Sequence, residues 1–237
     1  MGRFLRWLFV VVTAVAVLGG GAAAYYLNYS PDRSTYPLRG IDVSHHQGAI
    51  DWSRVARSDV AFAILKATEG GDHVDDTFAR NLDGARAAGL AVGAYHFFTF
   101  CRPGAEQAAN FLQAVPRDKP LLPPIVDIEF PGNCAARPSV ADLQRELTAF
   151  LAPVEAAFGR PAVVYMLDDA AQQYGAAVPE RQRWVRSLVW PPGGGDWLLW
   201  QYHNAGHVDG IGGEVDLNVL RGGPAMLNQM RAPVSPT

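Results

Sequence analysis

Cysteine is nearly absent from this sequence, with Cys101 and Cys134 its only two. So few exclude a small disulfide scaffold, and their separation matches no zinc-ligand spacing. The six histidines include the adjacent His45-His46 but no H-x-x-x-H pattern, so neither a metal nor a cofactor is implied. Basic residues do not cluster beyond the N-terminus, and the formal net charge is −3. A nucleic-acid footprint needs a basic face, which this chain does not offer. No G-x-S-x-G elbow accompanies Ser44, His45 and His46, which argues against a serine-hydrolase triad there.

One long apolar run is present. Arg3 and Arg6 precede an uncharged stretch from Trp7 to Pro31, densest over Leu8–Leu18. It is long enough to span a bilayer with the arginines on the cytoplasmic side, and Tyr25, Tyr26 and Tyr29 suit an outer aromatic belt. The competing reading is a cleaved signal peptide, for which Ala22-Ala23-Ala24 offers a small-residue site. The run continues past that site, which favours an uncleaved anchor over residues 1–29. Both readings export the remainder of the chain. Residues 30–38, with Pro31 and Pro37, read as a tether, 39–223 as one domain, and 224–237 as a polar, fraying tail.

Within the domain, strand-like and helix-like segments alternate. Strands are expected at Gly40–Ser44, Ala61–Ala67, Ala91–Phe98, around Ile125–Glu129, and at Ala162–Leu167. Helices are expected between them, at Asp51–Ser58, Asp76–Ala88, Gly104–Val115, and from a Ser139/Asp142 cap through a kinking Pro153 to Gly159. Then Trp184–Val189, Trp197–Tyr202 and Glu214–Val219 read as strands with little room for helices. Five strand–helix units followed by three strands suggest a β/α barrel whose last third has lost its helices.

The stretch Pro124-Ile125-Val126-Asp127-Ile128-Glu129-Phe130 combines an apolar strand with two acids at its end. Alternation puts Asp127 and Glu129 on one face, and two carboxyls so close are costly unless one takes a proton. A protonated acid beside an ionised one suits general-acid chemistry on an acetal. Asp42 and Asp216 fall on the first and last strands, which barrel closure makes neighbours. All four acids are expected at the C-terminal ends of their strands, where barrel enzymes place their sites. Tyr95, Tyr165, Trp200, Gln201 and Tyr202 lie at similar heights and suggest a sugar groove, in which rings stack on pyranose faces. The barrel also brings Cys101 and Cys134, each a few residues past adjacent strands, onto one rim, so a disulfide between them is expected in an exported domain.

Six segments stand in order: Gly40-Ile41-Asp42-Val43-Ser44 with Gln47-Gly48, Lys66-Ala67-Thr68-Glu69-Gly70, Gly93-Ala94-Tyr95-His96-Phe97, Asp127-Ile128-Glu129, Trp200-Gln201-Tyr202, and Val215-Asp216-Leu217-Asn218. Together they resemble the lysozymes of glycoside hydrolase family 25. The resemblance implies a TIM-like (β/α)5(β)3 barrel that acts on peptidoglycan as a monomer, without a cofactor. It implies Glu129 as general acid and then base, and Asp127 as the group that steers the substrate's own 2-acetamido attack. In the runner-up assignment Asp216 or Asp42 serves as nucleophile or positions the water; otherwise these two bind substrate and set the local field. Glu69, just past the second strand, is read as a supporting residue. His73, Asp59 and the Pro191-Pro192-Gly193-Gly194-Gly195 loop depart from the family pattern and bear on substrate subsites. The rival readings are a chitinase-like hydrolase and a non-catalytic glycan-binding tether between wall and membrane.

Overall fold

The computed structural model describes residues 2–178, 180–195 and 197–231. Its barrel strands are β1 (Arg39–Val43), β2 (Phe62–Glu69), β4 (Ala91–Phe97), β5 (Ile125–Ile128), β6 (Val163–Met166), β7 (Arg183–Arg186), β8 (Trp197–Gly206) and β9 (Val215–Leu220). β3 (His73–Val74) is a short hairpin partner of β2 outside the ring. The ring runs β1-β9-β8-β7-β6-β5-β4-β2 and closes through the parallel β1–β2 pair. Helices α2 (Trp52–Arg57), α3 (Phe78–Ala87), α4 (Gly104–Ala114), α5 (Val140–Phe158) and α6 (Asp168–Tyr174) follow the first five barrel strands, giving the expected (β/α)5(β)3 order. α6 is a short helix that the sequence reading did not locate.

Strand alternation divides the core in two. Ile41, Val43, Ala63, Leu65, Val92, Val126 and Val164 face the helices, while Phe62, Ile64, Ile125, Val163, Leu199 and Leu220 fill the barrel interior. Local chemistry sets the helix ends. Asp51 caps α2 by accepting from the amides of Ser53 and Arg54, Ser139 caps α5 through the Asp142 amide, and Gly159 ends α5 in the left-handed conformation. α5 continues through Pro153. α4 meets α5 at Gly104, where an added Cβ would lie 1.8 Å from the Glu146 carbonyl oxygen, so only glycine allows the two backbones to approach. His96 is buried between the barrel and these helices, stacked on Phe150, and burial lowers its pKa to about 4. The neutral ring donates from Nε2 to Gln107 Oε1 and accepts at Nδ1 from Thr68. Asp59, one of the departures noted above, takes φ 65°, and its carboxylate pairs with Arg33.

Three expectations are corrected. β9 runs antiparallel to both β1 and β8, so Asp216 sits near the start of its strand and not at its C-terminal end, yet still reaches the same rim opposite Asp42. Residues 30–38 are not a loose tether. Among the described residues no helix covers the outer face of β8, and its Trp197, Trp200 and Tyr202 are roofed instead by Tyr29 and Tyr36. Buried Arg39 fastens this segment by donating to Ser30 and to the Pro31 carbonyl while lying over the Tyr202 ring. Finally, the polar tail is a helix, α7 (Gly223–Arg231), whose Leu227 and Met230 pack under the barrel interior. The Pro233 and Pro236 of the tail reading lie outside the described residues.

α1 (Gly2–Asn28) is the one described helix long and apolar enough to cross a membrane, and none of its residues is buried. Its last turn touches the barrel. Tyr26 stacks on His203 at 4.6 Å, its hydroxyl donates to Asn204 Oδ1 at 2.5 Å, and its carbonyl accepts from His203 Nε2 at 3.0 Å.

Candidate active site

At the strand rim that carries Asp42, Asp127 and Asp216, a cavity of about 320 Å³ is lined by all four predicted acids, Asp42, Asp127, Glu129 and Asp216, together with Tyr95, Tyr165 and Gln201. Trp184, Arg186 and Asn204 complete its wall. Asp127 lies within β5, whereas Glu129 stands one residue past the strand's end, on the same inward parity.

Trp200 and Tyr202 do not belong to this site. Gln201 points inward, so its two neighbours must point outward, where they join the cluster under Tyr29 and Tyr36. Trp200 also donates from Nε1 to the Ser187 carbonyl at 2.7 Å, and that bond fixes it in the wall. Glu69 is outside the lining as well and pairs with Lys66. Ser44 and Gln47 form a capping box, and His45 pairs with Asp75 at 3.1 Å.

A polar chain holds the cavity floor. Asp42 Oδ2 accepts from Asn218 Nδ2 at 2.6 Å and from Gln201 Nε2 at 3.2 Å. Tyr165 donates its hydroxyl to Gln201 Oε1 at 2.9 Å, and Trp184 Nε1 donates to Asn218 Oδ1 at 2.8 Å. Both amides are thereby turned with their NH2 groups towards Asp42. Tyr165 and Gln201, read from sequence as sugar contacts, are therefore also part of this scaffold. Tyr165 packs against Trp184, with ring centroids 4.6 Å apart, and Trp184 is edge-on to Tyr95.

Every acid here is held towards its protonated form. Burial raises Asp42, the nearby Asp216 charge adds to that, and Asp42 hydrogen-bonds Asp216. Asp216 is raised to about 6, first by burial and against the pull of its Asp42 bond and of Arg186. The pair titrates as a unit sharing a proton. Burial also raises Asp127, with Glu129 and Asp42 repelling its charge, and lifts Glu129 to about 7 against the attraction of Arg186. Asp127 Oδ1 is buried without a hydrogen-bond partner among the described residues. Buried polar atoms are rarely left so, and Asp127 is among the residues that line the cavity.

Several residues of this arrangement went unread in the sequence, Asn204 and Asn218 among them. Trp184 and Arg186 share inward parity on β7, a signal that was legible. Asn133 was not: its side chain donates to the Glu129 and Phe98 carbonyls at 3.0 and 2.8 Å and accepts from the Phe100 amide at 3.0 Å, tying together the loops after β4 and β5. Cys101 and Cys134 join the same loops in a disulfide, with Cα atoms 6.3 Å apart.

Comparison with known proteins agrees with this geometry. The family model described as glycosyl hydrolases family 25 matches residues 41–211. Lysozyme M1 of Streptomyces globisporus is 34% identical over 211 residues, 81% of this chain and 71% of that protein. A family 25 glycosyl hydrolase from Bacillus anthracis superposes with a TM-score of 0.78 at 34% identity, covering 86% of this chain and 97% of that one. A bacterial lysozyme from Streptomyces coelicolor gives 0.73 at 33% identity, covering 82% and 96%. The chain belongs to glycosyl hydrolase family 25 and is a glycoside hydrolase.

Proposed function

We propose that the protein is an exported muramidase, hydrolysing the β-1,4 bond between N-acetylmuramic acid and N-acetylglucosamine in peptidoglycan. The observation that carries the residue assignment is the pairing of a Glu129 carboxyl raised to about 7 with a buried Asp127 oxygen that has no partner among the described residues. Glu129 enters the reaction protonated and gives its proton to the leaving glycosidic oxygen. The substrate's acetamido carbonyl oxygen attacks C1 as that bond breaks, and the amide N–H donates to the Asp127 carboxylate. This donor favours ionised Asp127, whose charge then stabilises the oxazolinium-like intermediate. Glu129, now a carboxylate, takes a proton from water as the water attacks C1, and the product keeps its anomeric configuration. Asp42 and Asp216, sharing a proton, bind substrate hydroxyls and limit the charge in the cavity. The relatives named as lysozymes support the peptidoglycan substrate.

The apolar α1 supports export, with the helix retained as a membrane anchor and the barrel acting as a single chain outside the membrane. The wall-tether reading keeps the same substrate but needs no raised carboxyl.

Glu129→Gln decides the matter, because an amide cannot donate the required proton. Reducing-end release from purified peptidoglycan should fall by about 10²–10⁴-fold with the fold intact. A variant that keeps a tenth of the wild-type rate would overturn the assignment. Turnover of chitin oligomers without turnover of peptidoglycan would support the chitinase-like alternative.

A further inference from the structure

Ten residues line the cavity, and Arg186 is the one cation among them. The other nearby cation, Lys66, is held by Glu69 and lies over the Phe97 ring. Arg186 ends β7 on the inward parity of Trp184 and is only partly buried, and its guanidinium forms no hydrogen bond or ion pair with any described residue. Its field nevertheless reaches Glu129 and Asp216. A guanidinium that served only to neutralise these acids would gain most by pairing with one of them directly. This one leaves its planar fork of donors unspent at the wall, a shape that fits a carboxylate in two-point contact.

The substrate named above supplies such a group. Its two sugars differ by the lactyl ether on the muramyl residue, which ends in a carboxyl. That carboxyl is free on a stripped strand, and otherwise amide-linked to a stem peptide carrying carboxylates of its own. A cavity walled by four acids repels an anionic side arm unless a cation receives it.

We propose that Arg186 binds a carboxylate on the side arm of the muramyl residue and thereby selects muramyl glycan over neutral chitin-like chains. The proposal rests on the muramidase reading, deepening it to a specificity residue.

The test compares Arg186→Gln with the parent on three substrates of equal length: peptide-stripped glycan with free lactyl carboxylates, stem-bearing glycan, and chitooligosaccharide. For turnover, kcat/KM on a carboxylate-bearing substrate should fall by about 10–100-fold, mostly through KM, as expected on losing one charge-assisted contact. A loss on stripped glycan places the carboxylate on the lactyl group, and a loss confined to stem-bearing glycan places it on the peptide. Removing Arg186 also raises the proton affinity of Glu129, but that shifts the pH profile alike for every substrate. For binding, calorimetry in a Glu129→Gln background compares stripped and stem-bearing glycan with chitooligosaccharide, and at least one muramyl glycan should weaken while the chitooligosaccharide does not. Equal weakening of all three, or of none, overturns the proposal. If the parent cleaves no muramyl glycan, the muramidase reading fails, and the calorimetric comparison still judges Arg186 by itself.

Discussion

At the scale of single residues, the acids of the cavity act against stability. Glu129 is raised from its ordinary 4.5 to about 7. Between those values the folded chain holds a proton that the unfolded chain has released, so the group's contribution is full below about 4.5 and is lost as pH rises through about 7. Above neutrality the folded protein must therefore keep a desolvated charge next to other acids. Glu129→Gln removes that charge, and the variant should melt at a higher temperature than the parent at about pH 8, with the gap closing towards about pH 4.5. Thermal unfolding followed across this range checks the sign, and a variant that is less stable at the alkaline end contradicts it. The residue pattern was largely legible beforehand. Period-two alternation put Asp127 and Glu129 on one face, and Asp42 came out opposite Asp216 because the ends of the chain close the ring. The same alternation, applied strictly, separates Gln201 from Trp200 and Tyr202. Treating the three as one motif concealed it.

At the scale of elements, the decisive piece is the segment between α1 and β1. Its sequence has neither helical nor strand periodicity and so reads as a connector. Its purpose shows only when β8 is seen without a helix, which leaves Trp197, Trp200 and Tyr202 to be covered by Tyr29 and Tyr36. Covering one large aromatic contributes roughly 1.5–3 kcal/mol, so uncovering three at once is a severe loss for a domain of this size. A chain starting at Tyr25 should therefore be soluble and fold fully, whereas one starting at Arg39 should melt lower, bind hydrophobic dye and aggregate. Equal melting temperatures for the two truncations would show that the roof contributes nothing. The tail was misread for a related reason: Leu227 and Met230 are a minority among polar residues, and only the barrel's open base gives them something to bury against.

At the scale of the whole molecule, the disulfide closes a loop with a sequence separation of 33 between the rims of β4 and β5. The loop-entropy model assigns such a bond about 3–4 kcal/mol, an upper figure. Replacing Cys101 and Cys134 by serine should lower stability by up to that amount while leaving measurable turnover, because Asn133 still ties the same loops next to Glu129. Chemical denaturation alongside a turnover assay checks both halves. An unchanged midpoint would show that the bond adds nothing to stability. The barrel class and the cysteine pairing both came from the order of strands and helices, whereas the antiparallel β9 did not, since no local pattern in Val215–Leu220 encodes its direction.

The contact between Tyr26 and Asn204 has one more consequence. Asn204 is part of the cavity wall, so the last turn of α1 ends against the active site itself. With 27 residues rising about 1.5 Å each, α1 is about 40 Å of rod with no slack at its outer end. On the anchored reading, this enzyme works like a blade on a fixed post. It meets glycan only at one height above the lipid, and the distance of a strand from the bilayer, as much as its chemistry, decides whether it is cut.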